Sequence, residues 1–439
     1  MQTNTNAIFH IARIFFALFS LLVTHAAVAG GGYFSLGYGP IARQMAGAVT
    51  AVAEDAFAGS SNPAKLSAVS DRFEAGAELF NPHRKVERTG SGTPFDFSSD
   101  SKNSLFLIPE FAYAHRMNDQ LSLGVTVYAN GGLNSEYNDS TGVPNTNNNP
   151  AQCGATPGNF FGGCYEAGFD LAQLIVAPTA AWKIAPGYSI GISPLLTLER
   201  FKSFGLQAFA PTSLYPDKVT NRGFDYAFGG GVRIGWYGEI NSWLNLGAAY
   251  SSKIYMQDFD KYKGLFAEGS FDIPSNYSLG VAIKPVAGWL VAFDVQRINF
   301  GDVKALSNSL LNTLNNPVSN PLGSASGSGF GWRHNQTNFK LGVAYAASPK
   351  LTLRTGFVYG KKPYDNDINA VSFSILTPSP FRQASLGFSW KTDQGDEFHM
   401  AASRFYKGTY QGPSALFPGA TESVTPYVNT LSAAWSWHL

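Results

Sequence analysis

Apolar and polar residues alternate along most of the chain from about residue 72 onward. The segment 120–128, QLSLGVTVY, has leucine or valine at every second position, and segments 289–297 and 351–359 show a similar alternation. Successive side chains of a β-strand point to opposite faces, so this period indicates strands with one apolar face and one mixed face. We therefore expect an all-β chain beyond residue 71.

The connections between these strands alternate in length. Six carry tight-turn signals, near residues 117–119, 185–187, 238–241, 285–288, 347–349 and 392–395. Seven are long and polar or rich in Gly, Asn and Pro, near residues 83–102, 131–168, 203–220, 253–273, 300–332, 361–375 and 408–424. Outer-membrane barrels combine short periplasmic turns with long extracellular loops. The pattern predicts a 14-stranded antiparallel transmembrane β-barrel over residues 71–439 in a Gram-negative outer membrane.

The residues before the first strand have a different character. Residues 39–59, GPIARQMAGAVTAVAEDAFAG, are rich in alanine, and Pro40 suits the start of a helix. Apolar residues recur there at helical spacing: Ile41, Met45, Val49 and Val52. The helix is expected to end near Gly59, before a turn made by Asn62, Pro63 and Ala64. Since a 14-stranded lumen is wide enough to need filling, residues 30–70 are predicted to form a partly helical hatch inside it.

The extreme N-terminus and the composition narrow the class of protein. Residues 1–29 combine Arg13, a short apolar run and an Ala-Val-Ala end, which predicts a secretory signal peptide. A net charge of +1 gives no indication of a nucleic-acid partner. Cys153 and Cys164 are closely spaced in an exported chain, which predicts a disulfide within one loop. No metal-ligand spacing or cofactor motif is present, so we expect neither a metal nor a cofactor.

The N-terminal motif and several later segments resemble those of a known family. Residues 37–66, with Asp55-Ala56 followed by Asn62-Pro63-Ala64, resemble the hatch signature of the FadL-type family of outer-membrane transporters for long-chain fatty acids and other hydrophobic compounds. Segments 271–285, 292–303, 329–345, 351–367 and 377–390 resemble that family's later strands in the same order. The resemblance implies passive, binding-driven transport of a hydrophobic small molecule by a monomer in contact with outer-membrane lipid and lipopolysaccharide. It also implies a third strand that kinks inward and lets cargo leave sideways, which we place at Asn130, Gly131 and Gly132.

Candidate ligand-binding residues follow partly from this resemblance and partly from the pattern. The resemblance places the mature N-terminus, with Tyr33 and Phe34, beside the ligand and a basic residue, Arg333, before the tenth strand. Arg297 is a second candidate for holding a carboxylate, although either arginine could instead pair with an acid of the interior. The family often has an acidic residue where this chain has His334.

The pattern itself contributes four apolar candidates. Alternation places Phe106 and Ile108 of the second strand toward the lumen, where they could line the pocket or pack on the hatch. Loop residues Phe209 and Leu214 could form an external capture groove or a self-packed loop.

Two other functions remain open at this level. A general porin would need an open lumen, which a hatch opposes. An outer-membrane lipid hydrolase would need a Ser/His/acid group, but the histidines are scattered and no G-x-S-x-G motif occurs. The pattern does not distinguish a fatty acid, an alkane and an aromatic compound as the cargo.

Overall fold

The computed structural model describes residues 32–93, 95–137, 158–365 and 382–439. The predicted signal peptide and Cys153 lie outside these ranges, so both the peptide and the disulfide to the buried Cys164 stay predictions. Within the described ranges, no helix is both long and apolar enough to span a membrane.

Fourteen strands of the described residues form one closed antiparallel barrel. In chain order they are β1 (Arg72–Thr89), β2 (Phe106–Arg116), β3 (Leu121–Tyr137), β4 (Ala167–Ala185), β5 (Tyr188–Phe204), β6 (Asp225–Asn241), β7 (Leu244–Ser251), β8 (Asn276–Ile283), β9 (Trp289–Ile298), β10 (Gln336–Ser348), β11 (Leu351–Gly360), β12 (Arg382–Lys391), β13 (Glu397–Phe405) and β14 (Thr421–His438). Each strand pairs with the next, and β14 pairs with β1 from Arg72 opposite His438 to Thr89 opposite Thr421. The predicted strand number and the alternation of short and long connections are confirmed.

Short elements decorate the long connections. Three short strands, Phe97–Asp100, Tyr255–Met256 and Tyr410–Pro413, pair with β1, β6 and β14 respectively. Single-turn helices occupy Gln207–Thr212, Pro216–Lys218, Ala267–Gly269, Phe300–Asp302, Lys304–Ser307 and Leu311–Asn315. The long connections therefore contain defined secondary structure.

The outer face of the barrel carries large apolar side chains. Leu341, Phe357 and Leu386 are among those that remain exposed in mid-strand. Exposed aromatic residues lie toward both ends of the strands: Trp182, Trp243, Trp289, Tyr345, Trp390 and Trp437 toward the short turns, and Tyr226, Phe228, Tyr277, Phe339 and Tyr359 toward the long connections. An apolar band edged by aromatic rings is the surface that a bilayer and its interface require.

The N-terminal segment, residues 32–71, is mostly buried but much less helical than the sequence predicts. Its α-helix covers only Pro40–Gln44, because Ala46 and Gly47 follow with φ of 49° and 81°, outside the helical region. The Asn-Pro-Ala motif also has a different role from the predicted terminal turn. Asn62 is the N-cap of a second short helix, Pro63–Ala68, which follows the single-turn helix Phe57–Ser60.

The third strand continues beyond the predicted weak point. Asn130 forms a bulge, since the β3–β4 register shifts between Ala129 and Gly131, and pairing then continues to Tyr137. A bulge keeps both flanks paired while bending the strand, so the Asn-Gly-Gly sequence marks a bend and does not end the strand.

Candidate functional site

The N-terminal segment contacts strands on opposite sides of the closed sheet. Its helix Pro40–Gln44 packs on β11–β14, and the short helices between Phe57 and Ala68 pack on β2–β6. Eight glycines of the strands lie against the segment, and a Cβ at each would overlap it: Gly131, Gly191, Gly235, Gly247, Gly280, Gly342, Gly356 and Gly387. The segment can therefore pack this closely only because these wall positions are glycines, which have no Cβ.

A buried ion cluster ties the helix of this segment to the first two strands. Arg43 contacts Glu78 of β1 and donates from Nη2 to Glu110 Oε2 at 2.9 Å. The backbone N–H of Gly39 donates to the same Glu110 oxygen at 3.1 Å. All three charged side chains are less than 9% exposed, so each depends on the others for its hydrogen bonds.

A second group of polar contacts holds the middle of the segment to β9 and β10. Asp294 Oδ2 accepts from the backbone N–H groups of Val49 and Thr50 at 2.9 and 2.8 Å. Lys340 Nζ donates to the carbonyl of Leu36 at 3.0 Å, and Lys65 Nζ donates to that of Val49 at 2.7 Å. Charged side chains thus replace the water that the segment's backbone would otherwise bind.

Asn62 uses all of its polar atoms, two bonds lying within the segment and one reaching the wall at Trp236. Its Nδ2 donates to the carbonyls of Thr50 and Trp236 at 3.0 and 2.9 Å, and its Oδ1 accepts from Ala64 N–H at 3.1 Å. Residue 62 is fully buried, so no water can replace these bonds.

Asn62→Ala is therefore expected to destabilise the packed segment by about 2–4 kcal/mol, because three buried groups lose their partner. Limited proteolysis of the purified barrel, followed by N-terminal sequencing, should detect faster cleavage within residues 32–71. Ser61→Ala is the matched control, since the Ser61 hydroxyl has no partner among the described residues. Equal cleavage rates for both variants would contradict the role given to Asn62.

The wall is incompletely paired between β2 and β3. The ladder joining them runs only from Arg116 opposite Ser122 to Phe111 opposite Val127. Beyond it, residues 106–110 of β2 pair with β1 and not with β3, and residues 128–137 of β3 pair with β4 and not with β2. Almost every residue of β3 from 127 to 137 is buried, as expected of a strand covered on both faces rather than one facing lipid. We call this unpaired stretch the seam. On β3 it includes the predicted kink at residues 130–132.

The start of the described chain pairs with β3 at this bend. Phe34 lies opposite Gly131, Ser35 N–H donates to the Asn130 carbonyl at 3.0 Å, and Gly132 N–H donates to the Tyr33 carbonyl at 3.2 Å. A Cβ at Gly131 would collide with the Tyr33 backbone, so glycine permits this pairing. This pairing brings Tyr33 and Phe34 to the bend. The sequence predicts the N-terminal aromatic residues and the bend, but not that they meet.

Aromatic rings surround Tyr33. Ring centroids of Phe34, Phe271, Phe300 and Trp332 lie 5.1, 5.7, 5.8 and 6.3 Å from that of Tyr33. We call these four rings the aromatic cage. Successive ring contacts continue from it through Phe330, Phe169 and Phe201 to the loop residues Phe259, Tyr262 and Phe266. A continuous apolar path therefore links the long connections to the N-terminal segment.

An apolar groove lies outside this path, among the long connections. Its lining is almost wholly hydrophobic and includes Phe161, Leu206, Phe209, Leu265, Leu310 and Leu322. Phe209 thus lies where the capture-groove interpretation needs it. Leu214 is 51% exposed and does not line the groove.

The remaining predicted residues are distributed unevenly. Phe106 and Ile108 are buried as expected, but they pack with Leu36 and Ala46 beside the seam rather than in the aromatic cage. Arg297 lies on the same face of β9 as the exposed Phe293 and donates to Thr337 at 3.0 Å. This outward face gives it no contact with either pocket described here. Arg333 is exposed on the long connection before β10, 4.0 Å from Asp365.

A largely polar pocket lies next to the cage, and Phe34 belongs to the lining of both. It is lined by Ser35, Tyr38, Asn130, Arg233, Gln296 and Lys340, among others. Arg233 donates to the Gly59 carbonyl at 2.6 Å and to Tyr128 Oη at 3.1 Å. Phe34 therefore lies at the boundary between an apolar surface and a polar one.

One serine–histidine contact resembles part of a hydrolase triad. Ser389 Oγ lies 2.7 Å from His399 Nδ1, and His399 Nε2 lies 2.9 Å from Ser436 Oγ. A hydrolase needs a carboxylate on the second imidazole nitrogen and an accessible nucleophile. Here a serine takes that position and His399 is 1% exposed, so the group is a structural hydrogen-bond chain. No cluster suited to a metal ion occurs among the described residues.

Comparisons with known proteins place the fold. A family model described as "Outer membrane protein transport protein (OMPP1/FadL/TodX)" matches residues 20–150 and 156–411. The Pseudomonas putida toluene transporter TodX is similar in structure, with 18% identity, a TM-score of 0.67 and coverage of 92% of this chain and 100% of its own. A Pseudomonas aeruginosa FadL homologue has 13% identity and a TM-score of 0.67, covering 93% and 99%. The Ralstonia pickettii toluene transporter TbuX has 17% identity and a TM-score of 0.59, covering 91% and 98%. No curated protein sequence matches the chain.

Proposed function

The chain belongs to the OMPP1/FadL/TodX family of outer-membrane transport proteins, and from this we propose that it carries small hydrophobic compounds inward by diffusion between apolar sites. Members of the family are transporters of hydrophobic compounds rather than enzymes. The observation that carries the proposal is the unbroken series of aromatic contacts from the long connections to Tyr33. Transfer of an apolar solute from water to such a surface lowers its free energy, so this step requires no energy source.

We propose that the N-terminal segment acts as a hatch that blocks water and ions. Its burial, its contacts on opposite sides of the barrel and its charged ties to β1, β2, β9 and β10 support this role. The same features argue against the porin alternative, since a porin keeps a polar, water-filled lumen.

The route past the hatch is proposed to be sideways, through the seam. Continuing straight would expose an apolar cargo to the polar pocket with Arg233 and Lys340. Beside the seam the surface is apolar instead, with Leu36, Phe106 and Ile108. Displacement of Tyr33 and Phe34 from Gly131 would connect the aromatic cage to this side.

Both monoaromatic compounds and long-chain fatty acids are candidate cargoes. The aromatic side chains packed around Tyr33 favour a small aromatic cargo, and the toluene transporters TodX and TbuX share the fold. Uptake of radiolabelled toluene, hexadecane and oleate by a strain lacking this protein, with and without a plasmid copy, tests the proposal. Restoration of toluene uptake by the plasmid is expected; unchanged uptake of all three compounds would overturn the transport role.

A further inference from the structure

Three polar atoms around the aromatic cage have no hydrogen-bond partner among the described residues. They are Tyr33 Oη, Trp332 Nε1 and Glu199 Oε2, and all three residues are 0% exposed. A buried polar group without a partner costs about 1–3 kcal/mol, so native proteins leave few of them. Unpaired buried atoms also occur elsewhere among the described residues, but these three lie next to the ring cluster around Tyr33, which makes it the place to look for a ligand with a hydroxyl group.

Glu199 lies in a row of residues that begins at the bend of β3. Gly131 is opposite Gln173 of β4, which is opposite Glu199 of β5. Asn130 Nδ2 donates to Gln173 Oε1 at 2.8 Å, and Gln173 Nε2 donates to Glu199 Oε1 at 2.7 Å. These bonds fix the Glu199 carboxyl group while leaving its second oxygen unused.

Tyr33 connects this row to the cage. Its backbone bonds to Gly132 of β3, and its ring contacts all four cage rings. Burial, and next the nearby Glu199, raises the pKa of Tyr33, so its hydroxyl is neutral. The side chain of tyrosine is a 4-alkylphenol. The cage therefore already holds a phenol ring, which is joined to β3 through the Tyr33 backbone.

The charges around the site oppose an anionic ligand. No arginine or lysine of the described residues pairs with Glu199, and Asp272 is a second acid in its vicinity. Asp272 itself is paired with Lys253 at 2.8 Å. A carboxylate placed beside Glu199 would lose its hydration and would find no cation among the described residues there to compensate. A neutral hydroxyl group could instead donate to Glu199 Oε2 and accept from Trp332 Nε1.

We propose that the pocket opened by displacement of Tyr33 selects neutral hydroxylated monoaromatic compounds, with Glu199 and Trp332 as the residues that recognise the hydroxyl group. This selectivity rests on the proposed transport function and narrows its substrate class. Toluene fits the cage but leaves both polar atoms without partners. An aliphatic or aromatic carboxylate is disfavoured.

Calorimetric titration of the detergent-solubilised full-length protein tests the selectivity with four probes of similar size. These are 4-methylphenol, toluene, 4-methylbenzoate and 4-methylbenzylammonium, each corrected for partition into empty micelles. We expect 4-methylphenol to bind about tenfold more tightly than toluene, the ratio that one net hydrogen bond supports. We expect 4-methylbenzoate to bind more weakly than toluene.

Three variants test whether the side chains of Glu199 and Trp332 produce the preference for 4-methylphenol. Glu199→Leu should abolish the preference for 4-methylphenol while preserving toluene binding, and Trp332→Phe should reduce the preference several-fold. Glu199→Gln keeps an acceptor oxygen, so it should retain the preference and relax the exclusion of 4-methylbenzoate. Glu239→Gln, on exposed Glu239 of the neighbouring β6, is the matched control and should behave as the unmodified protein.

The outcomes separate this inference from the proposed function. Equal affinities for toluene and 4-methylphenol would overturn the selectivity and leave aromatic transport standing. Tightest binding of 4-methylbenzylammonium would overturn it in favour of a cation site. Failure of every aromatic probe to bind the folded barrel would overturn both.

Discussion

Arg43→Leu is expected to convert a closed barrel into a leaky one. Arg43 lies between two buried carboxylates, Glu78 and Glu110, so its loss leaves both without their cation. Removal of one partner from a buried ion cluster typically costs about 3–5 kcal/mol. This is enough to release the helix Pro40–Gln44 from the wall. Planar-bilayer recordings should show frequent openings, and cells should become sensitive to antibiotics too large for general porins.

Two further variants make the test of Arg43 specific. Arg116→Leu removes an exposed arginine at the short-turn end of β2 and should leave conductance unchanged. The triple variant Arg43→Leu, Glu78→Gln and Glu110→Gln removes the unpaired charges and should recover part of the closure. Low conductance of the single variant in a correctly folded barrel would refute the proposed role of the ion cluster.

Ala129→Trp is expected to block uptake without preventing binding. Ala129 is partly buried beside the bulge, next to the apolar residues of the seam. A tryptophan there would fill the seam, while the aromatic cage around Tyr33 would stay intact. We expect the initial rate of toluene uptake to fall at least about tenfold, with toluene affinity changed by less than about threefold, equivalent to under 1 kcal/mol.

The control places the same side chain where it should have no effect. Ala248 lies on the outward face of β7, alternating with the buried Asn245 and Ala249, so Ala248→Trp adds a ring on the outer surface. Normal uptake by Ala129→Trp would exclude the seam as the exit. Loss of uptake in Ala248→Trp as well would show that the added bulk acts through folding.

The barrel was predictable from sequence because its signals are local. A period of two and the alternation of short and long connections depend only on neighbouring residues, and both are confirmed. The face of Arg297 followed from the same rule, since it shares its parity with Phe293 and Val295. The alternation alone therefore places Arg297 on the outward face, which argues against the prediction that it contacts the ligand.

The N-terminal segment was harder to predict because its contacts override local preference. Ala46 and Gly47 adopt positive φ where the segment meets β11, so an alanine-rich stretch ends its helix after one turn. Tertiary contacts commonly outweigh helix propensity in this way. The role of Asn62 as an N-cap was available from sequence, because asparagine before proline is a standard helix start.

The aromatic cage could not be assembled from sequence. Phe271, Phe300 and Trp332 belong to two different long connections, and Tyr33 precedes the barrel by many residues. Only closure of the sheet brings them together. A weak signal existed in the aromatic residues concentrated near the ends of β8, β9 and β10, but no spacing rule relates them to Tyr33.

The closing pair of strands has a consequence for the order of assembly. β1 directly follows the N-terminal segment, yet its partner β14 is the last strand of the chain, so the ring is complete only when every strand is present. At eight wall glycines the segment lies too close for even a Cβ, so we expect its later insertion through a finished ring to be sterically hindered. We therefore expect the segment to take its place while β1 and β14 are still apart, with the wall closing around it. A wall-glycine substitution would then reduce the yield of finished barrels even where the completed protein tolerates it.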